Sequence, residues 1–310
     1  MINDLPEVVR HGACLLFADD LKLLLEIRSE ADCRRLQEDI DRIVQWSHEN
    51  KLYFNVSKCS LMSFTRARAP VRYDYVVDAA PLQRVTGVRD LGVFMTPDLT
   101  FREHITRICK KAYRNLGFVL RQTQSFTNIT TVRVLYDALV RSHLEHSAVI
   151  WAPHEAKYTL MLESVQNKFT RHLYKRLYGV YPFYPLMYPT LFILGMVGYN
   201  QLHVRREFTL VAYLVRVLRG VESHPTVLRH LSLCVPDRYV WRRRSPPLLL
   251  VPTARTNLLA KAPLTRAIRT INDLQTQIDV LTCCFEKESD YLSARLVPLA
   301  GEPSRPELRA

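Results

Sequence analysis

The stretch HGACLLFADDLKLLLEI, residues 11–27, sets the strongest constraint on the first part of the chain. Two apolar runs with strand character flank Ala18, Asp19 and Asp20. Unpaired carboxylates are costly to bury, so the acids belong where the chain turns and water reaches them. The pattern predicts a β-hairpin with Asp19 and Asp20 exposed at its tip. Taken alone, two acids at a turn more often do no more than solvate a loop or cap an element.

Residues 31–50 place Leu36, Ile40, Ile43, Val44 and Trp46 at mostly helical spacing among charges, predicting an amphipathic helix packed on a sheet and ending at Asn50 and Lys51. Alternation at Leu52, Phe54 and Val56, then the run Leu61 to Phe64, predicts strands separated by the polar turn Ser57, Lys58, Cys59. RYDYVVD and VRDLGVFM, within residues 71–96, continue as short strands, with Gly92 allowing a turn or bulge in a hairpin. From Phe101 onward the period becomes helical. Ile105, Ile108, Ala112, Leu116 and Val119 recur at three- and four-residue steps, while Arg107, Lys110, Lys111 and Arg114 take another face. Residues 134–151 and 161–178 are amphipathic too and should pack as a bundle, the first ending at Ala152 and Pro153. A looser boundary falls near residue 220, a last helix near 264–288, and the tail GEPSRPELRA reads as disordered. The fold class is therefore α+β, with regions 1–100, 101–220 and 221–310.

The 43 Lys and Arg residues outnumber the 30 Asp and Glu, for a net charge of +13, which favours a polyanionic partner over a neutral or basic one. An ordinary soluble protein with a basic surface fits the same number. Seven cysteines show neither CxxC pairs nor His at zinc-ligand spacing, and no secretory signal opens the chain, so a disulfide framework is not expected. The expected compartment is cytosolic or nuclear. The most apolar stretch, Val180 to Tyr199, contains Pro182, Pro185 and Pro189, so it reads as buried core and not as a membrane span.

Several stretches match one family in the same order: INDLP at 2–6, FADDLKLL at 17–24, and the series Trp46, Asn50, Leu52, Asn55, Lys58, Cys59. LGVFMTPDLTFREHI at 91–105, LYDALVRSHLEHSAVIWAP at 135–153 and ESVQNKFTRHL at 163–173 follow. Together they resemble the palm and thumb of LINE-type (non-LTR) retrotransposon reverse transcriptases in the jockey and R1 style, with weaker agreement through LSLCVPDR and the RTN…APLTR region.

The resemblance implies polymerisation by in-line attack of a primer 3′-hydroxyl on a nucleotide α-phosphate, with two divalent ions stabilising the attacking and leaving oxygens. Hard Mg²⁺, or Mn²⁺, takes carboxylate oxygens. Asp19 and Asp20 map onto the family's metal ligands, Asp19 first, beside a third acid from an earlier palm strand. That strand and the fingers are expected to lie outside this sequence, and Glu26, Asp39 and Asp41 are poorly placed to substitute. Mg²⁺ affinity is then expected to be weak, and the isolated chain inactive. Lys58 resembles a lysine able to protonate departing pyrophosphate, against the alternative of a solvated turn lysine. Gly92 resembles the hairpin that supports a primer end, against that of a plain bulge. Arg107, Lys110, Lys111, Arg114, Lys168, Arg171 and Lys175 together suit a thumb gripping an RNA template and DNA primer, whereas any one of them taken alone more often belongs to a solvated helix face. Arg242, Arg243 and Arg244 beside Trp241 fit single-stranded RNA or a basic linker. A non-catalytic nucleic-acid-binding remnant, or a pseudogene product, is the alternative to a polymerase fragment.

Overall fold

The computed structural model describes residues 2–65, 67–182, 190–235 and 247–275. Helices and small sheets make it α+β, and the chain divides into two compact units, Met1–Phe101 and Arg102–Ala310.

In the first unit, α1 (Leu5–Val8) leads into β1 (Ala13–Phe17) and β2 (Asp20–Leu24), an antiparallel hairpin whose last pair is Phe17 with Asp20. Helix α2 (Glu30–Glu49) is the spine of the unit. One stripe of it buries Ile43 and Trp46 with Leu5, against Leu16, Leu21 and Phe54. Another buries Cys33 and Leu36 with Tyr75, against Leu25, Leu61 and Leu82. The remaining strands are short: β3 (Ser60–Leu61), β4 (Val76–Val77), β5 (Ala80–Pro81), β6 (Gln83–Arg84), β7 (Val88–Asp90) and β8 (Val93–Met95). β4–β5 and β7–β8 are antiparallel and β3–β6 is parallel, so the described strands form separate two-stranded pairs and not one antiparallel sheet.

The strand expected over Leu52 to Val56 does not form. Lys51 turns back at φ +56°, and Leu52 is tied to α2 by its N–H to the Ser47 carbonyl (2.9 Å) and by the Ser47 hydroxyl donating to its own carbonyl (2.6 Å). Phe54 packs inward without a partner strand, and Val56–Lys58 is a 3₁₀ turn. Leu61 to Phe64 keeps only the two-residue pairing of β3.

The second unit is helical. α3 (Arg102–Gln122) is followed by α4 (Ile129–Tyr136), a π-helical turn (Asp137–Arg141), α5 (Ser142–Glu145) and α6 (Ala148–Trp151). α7 (Ala156–Tyr178) ends at Gly179, whose φ of +75° gives the left-handed cap that a side chain would strain. Then come α8 (Thr190–Met196), α9 (Leu202–Leu218), α10 (Pro225–Leu228), α11 (Asn257–Ala260) and α12 (Pro263–Gln275). α3, α4 and α7 pack together, with Tyr136 stacked on Phe169 at 3.8 Å between ring centres and Tyr199 edge-on to both. The single helix expected to Trp151 is interrupted. After the π turn, Ser147 adopts φ +53° and restarts α6, so the segment bends rather than running straight.

α9 and α12 share a second core of Leu210, Val211, Leu214, Ala267, Ile268 and Ile271, joined by Leu249. Residues on either side of the boundary expected near 220 thus pack together. The final helix is described to Gln275; the rest of its expected span, the tail and Trp241 to Arg244 lie outside the described residues. Val180–Tyr199 is not uniformly core among the described residues: Val180 is exposed, and α8 buries Ile193 and Leu194 while exposing Leu191 and Met196, as expected of an amphipathic helix. No helix among the described residues is long and apolar enough to cross a membrane.

Candidate functional sites

The acid pair sits on a tight hairpin. Pairing of Phe17 with Asp20 leaves Ala18 and Asp19 as the two loop residues, and Asp20 opens β2. Ala18 has φ +53°, a conformation glycine normally supplies in such turns. Asp19 and Asp20 are both exposed. Strand alternation puts Cys14, Leu16, Leu21 and Leu23 toward α2, and sets Leu15, Phe17, Asp20, Lys22 and Leu24 on the outer face.

Asp39 on α2, fully buried, fixes the entry to this hairpin. Its carboxylate accepts the N–H groups of Arg10 (2.9 Å), His11 (2.9 Å) and Gly12 (2.8 Å) and pairs with Arg42 (2.7 Å). Burial works against its ionisation, but the three backbone donors outweigh it and hold Asp39 below the ordinary carboxylate range. Gly12 packs closely there, since a Cβ would lie 3.0 Å from the Leu24 carbonyl oxygen and would require a small shift. The sequence places Asp39 on a helix and gives it no metal-binding role. The signal was its place in the apolar stripe of Leu36, Ile43 and Trp46, where an unpaired acid has no business.

Gly92 lies in the two-residue turn between β7 and β8, with Leu91 at φ +44° and Gly92 at φ +89°. It is a turn residue and not a bulge. Lys22, on the outer face of the acid hairpin, pairs with Asp90 at 2.6 Å, so the strand leading into the Gly92 turn is tied to the hairpin. Lys58 is exposed at the end of the 3₁₀ turn, and no hydrogen bond or ion pair joins it to Asp19 or Asp20. Among the described residues, no group of three or more His, Cys, Asp or Glu side chains is gathered to hold a metal. Two adjacent carboxylates supply part of an octahedral shell, so Asp19 and Asp20 by themselves do not fit a two-ion centre.

In the second unit the basic residues form stripes. On α3, Arg107, Lys110, Lys111 and Arg114 are exposed on the side opposite buried Ile105, Ala112, Leu116 and Val119. Phe118, one turn beyond Arg114, is 50% exposed on that stripe and was not foreseen as a site residue. On α7, Lys168, Arg171 and Lys175 recur at i, i+3 and i+7 away from buried Phe169 and Leu173. Lys168 reaches over the Tyr113 ring at 6.0 Å, linking the α7 stripe to α3. Two of these cations have local partners: Arg107 pairs with Glu103, and Arg171 contacts Thr190 at 3.5 Å. Arg176, by contrast, donates to the carbonyls of Thr123 and Phe126 and serves the loop after α3.

The chain is similar to a probable RNA-directed DNA polymerase from transposon X-element of Drosophila melanogaster. The two are 23% identical over 171 residues, 54% of this chain and 19% of that protein. The chain therefore spans about a fifth of its relative's length. No protein-family model matches, and no solved structure matches. This distant similarity supports a relationship to reverse transcriptases.

Proposed function

We propose that this chain is part of a non-LTR, LINE-type reverse transcriptase in the jockey and R1 style, comprising the acid-turn portion of the palm and a basic helical thumb. The observation that carries the reading is the display of Asp19 and Asp20 at a two-residue hairpin tip, in a chain similar to a transposon polymerase. In the full enzyme these acids would help hold Mg²⁺ or Mn²⁺, which would supply charge stabilisation at the nucleotide phosphates. The α3 and α7 stripes would position an RNA template and DNA primer through their backbones, without reading sequence.

A second reading is favoured by one specific observation, the lack of a third ligand beside the acid pair among the described residues: a nucleic-acid-binding module that does not polymerise by itself. The test is primer extension on an RNA template with Mg²⁺ or Mn²⁺, for the wild type and Asp19→Ala, alongside template binding at several salt concentrations. Extension that disappears in Asp19→Ala supports a competent site. Binding without extension supports the second reading, with log K falling by roughly 0.7 to 0.9 per neutralised phosphate per decade of salt. Lys110→Gln with Lys111→Gln should flatten that slope by about 1.5. Binding indifferent to salt and to these substitutions would remove both readings.

A further inference from the structure

The second unit contains a pocket of about 340 Å³ that neither the acid turn nor the basic stripes use. Its polar lining comes from Thr159 of α7, His203, Arg206 and Glu207 of α9, and Arg266, Arg269 and Thr270 of α12, over an apolar floor that includes Leu210.

Arg206 is only 3% exposed, and neither of its terminal nitrogens, Nη1 or Nη2, has a hydrogen-bond partner. Nε of Arg266 is likewise buried without one. Native structures rarely leave such donors unmet, and a buried guanidinium is among the costliest to leave so. The nearby carboxylates are already engaged. Glu163 accepts the N–H groups of Leu202 (3.1 Å) and His203 (2.7 Å), and stands 3.9 Å from Arg206. Glu207, also at the pocket, accepts from the Thr270 hydroxyl at 3.3 Å. Three guanidinium groups thus line the pocket with one carboxylate, Glu207, while Glu163 and Glu145 act on Arg206 from outside that lining.

We propose that this pocket is a phosphate-binding site in which Arg206, with Arg266 and Arg269, is the principal ligand. A tetrahedral phosphate offers the acceptors these donors lack, and guanidinium forks match it in pairs. With no hydrogen bond holding its terminal nitrogens, Arg206 gives up only its 3.9 Å ion pair with Glu163 when it turns toward an incoming anion. Burial pulls its guanidinium down to about 10, against the opposing pull of Glu163 and Glu145, so the charged form is held in poorly solvated surroundings. The apolar floor leaves room for the group that bears the phosphate. The site is independent of the polymerase reading, since it uses none of the residues assigned there.

The test is the thermal midpoint of the full chain titrated with inorganic phosphate, at ionic strength held constant with chloride. A saturable rise beyond the chloride control is expected, because a ligand that binds only the folded state raises its stability by mass action. Arg206→Met removes one partner of the buried Glu163 pair, so it should lower the phosphate-free midpoint, and it should lose the phosphate response. Arg269 is exposed and donates to the Ala260 carbonyl, so Arg269→Gln should fold normally and weaken apparent phosphate affinity about tenfold. A response no larger than that of chloride overturns the proposal, as does one unchanged in Arg269→Gln, which decides the matter if Arg206→Met fails to fold. A short single-stranded RNA that competes with phosphate identifies the source as a nucleic-acid backbone. An RNA that does not compete identifies a free phosphate or phosphomonoester.

Discussion

Asp39 in the first unit and Glu163 in the second do the same job in very different surroundings. Each is a buried helix carboxylate that accepts backbone N–H groups of a distant segment: Asp39 those of Arg10 to Gly12 ahead of the acid hairpin, Glu163 those of Leu202 and His203 at the start of α9. Around Glu163 lies a deep helical core. All but one of the largest fully buried side chains, among them Trp151, Tyr136 and Phe169, belong to the second unit, and Leu5 is the exception. Around Asp39 the packing consists of two small clusters on α2 and strands of two to five residues. The first unit therefore leans on specific polar anchors and turn geometry, whereas the second leans on buried area.

The largest effect should come from the helical core. Phe169→Ala removes one face of the Tyr136 stack and should cost about 3 to 5 kcal/mol. Amide exchange should show the loss confined to residues of the second unit, and equal loss in β1 and β2 would break the contrast. Next come the anchors. Asp39→Asn and Glu163→Gln should each cost about 2 to 3 kcal/mol by denaturant titration, since each weakens charged acceptors of buried donors. A negligible cost for Asp39→Asn would mean that the hairpin is held by its turn alone.

The acid response follows from the same groups. In Asp39 and Glu163 burial opposes ionisation, but backbone donors win and both are held below their ordinary values. A carboxyl lowered in the folded state adds stability that is full above its unfolded pKa, near 4, and is lost as pH falls through the folded value. Both units should therefore soften below about pH 4, and Asp39→Asn should flatten that dependence for the first unit only, as read by unfolding at stepped pH. The smallest effect lies at the acid turn. Ala18→Gly should relieve its left-handed strain and stabilise by about 0.5 to 1 kcal/mol in thermal unfolding.

Local periodicity made the helices and the acid hairpin readable. α2, α3 and α7 follow apolar stripes at Leu36 and Ile43, Ile105 and Leu116, and Val165 and Phe169. What failed to show depended on distant partners. Leu52, Phe54 and Val56 alternate like a strand, yet a strand exists only where another pairs with it, and here Ser47 claims the chain instead. The β4–β5 turn uses Asp78 and Ala79, both at positive φ, so no glycine announced it. Asp19, Asp20 and the α3 stripe could be seen because they are exposed. Asp39 was marked only by its place in an apolar stripe, and the roles of Asp39, Glu163 and Arg206 stayed hidden, because a buried charge takes its meaning from backbone or cavity far along the sequence.

The π-helical turn at Asp137–Arg141 has a consequence for inheritance. Such a turn is an α-helix holding one residue more than its hydrogen-bond ladder needs. Removing Leu139, which is 37% exposed, would let the ladder close in ordinary register while keeping Tyr136 before it and Leu144 after it on their buried faces. The loss is the hydrogen bond that the Leu139 carbonyl accepts from Asn115 (2.7 Å), and sequences descended from this one should lose or regain a single residue at that point while the helices on either side keep their lengths.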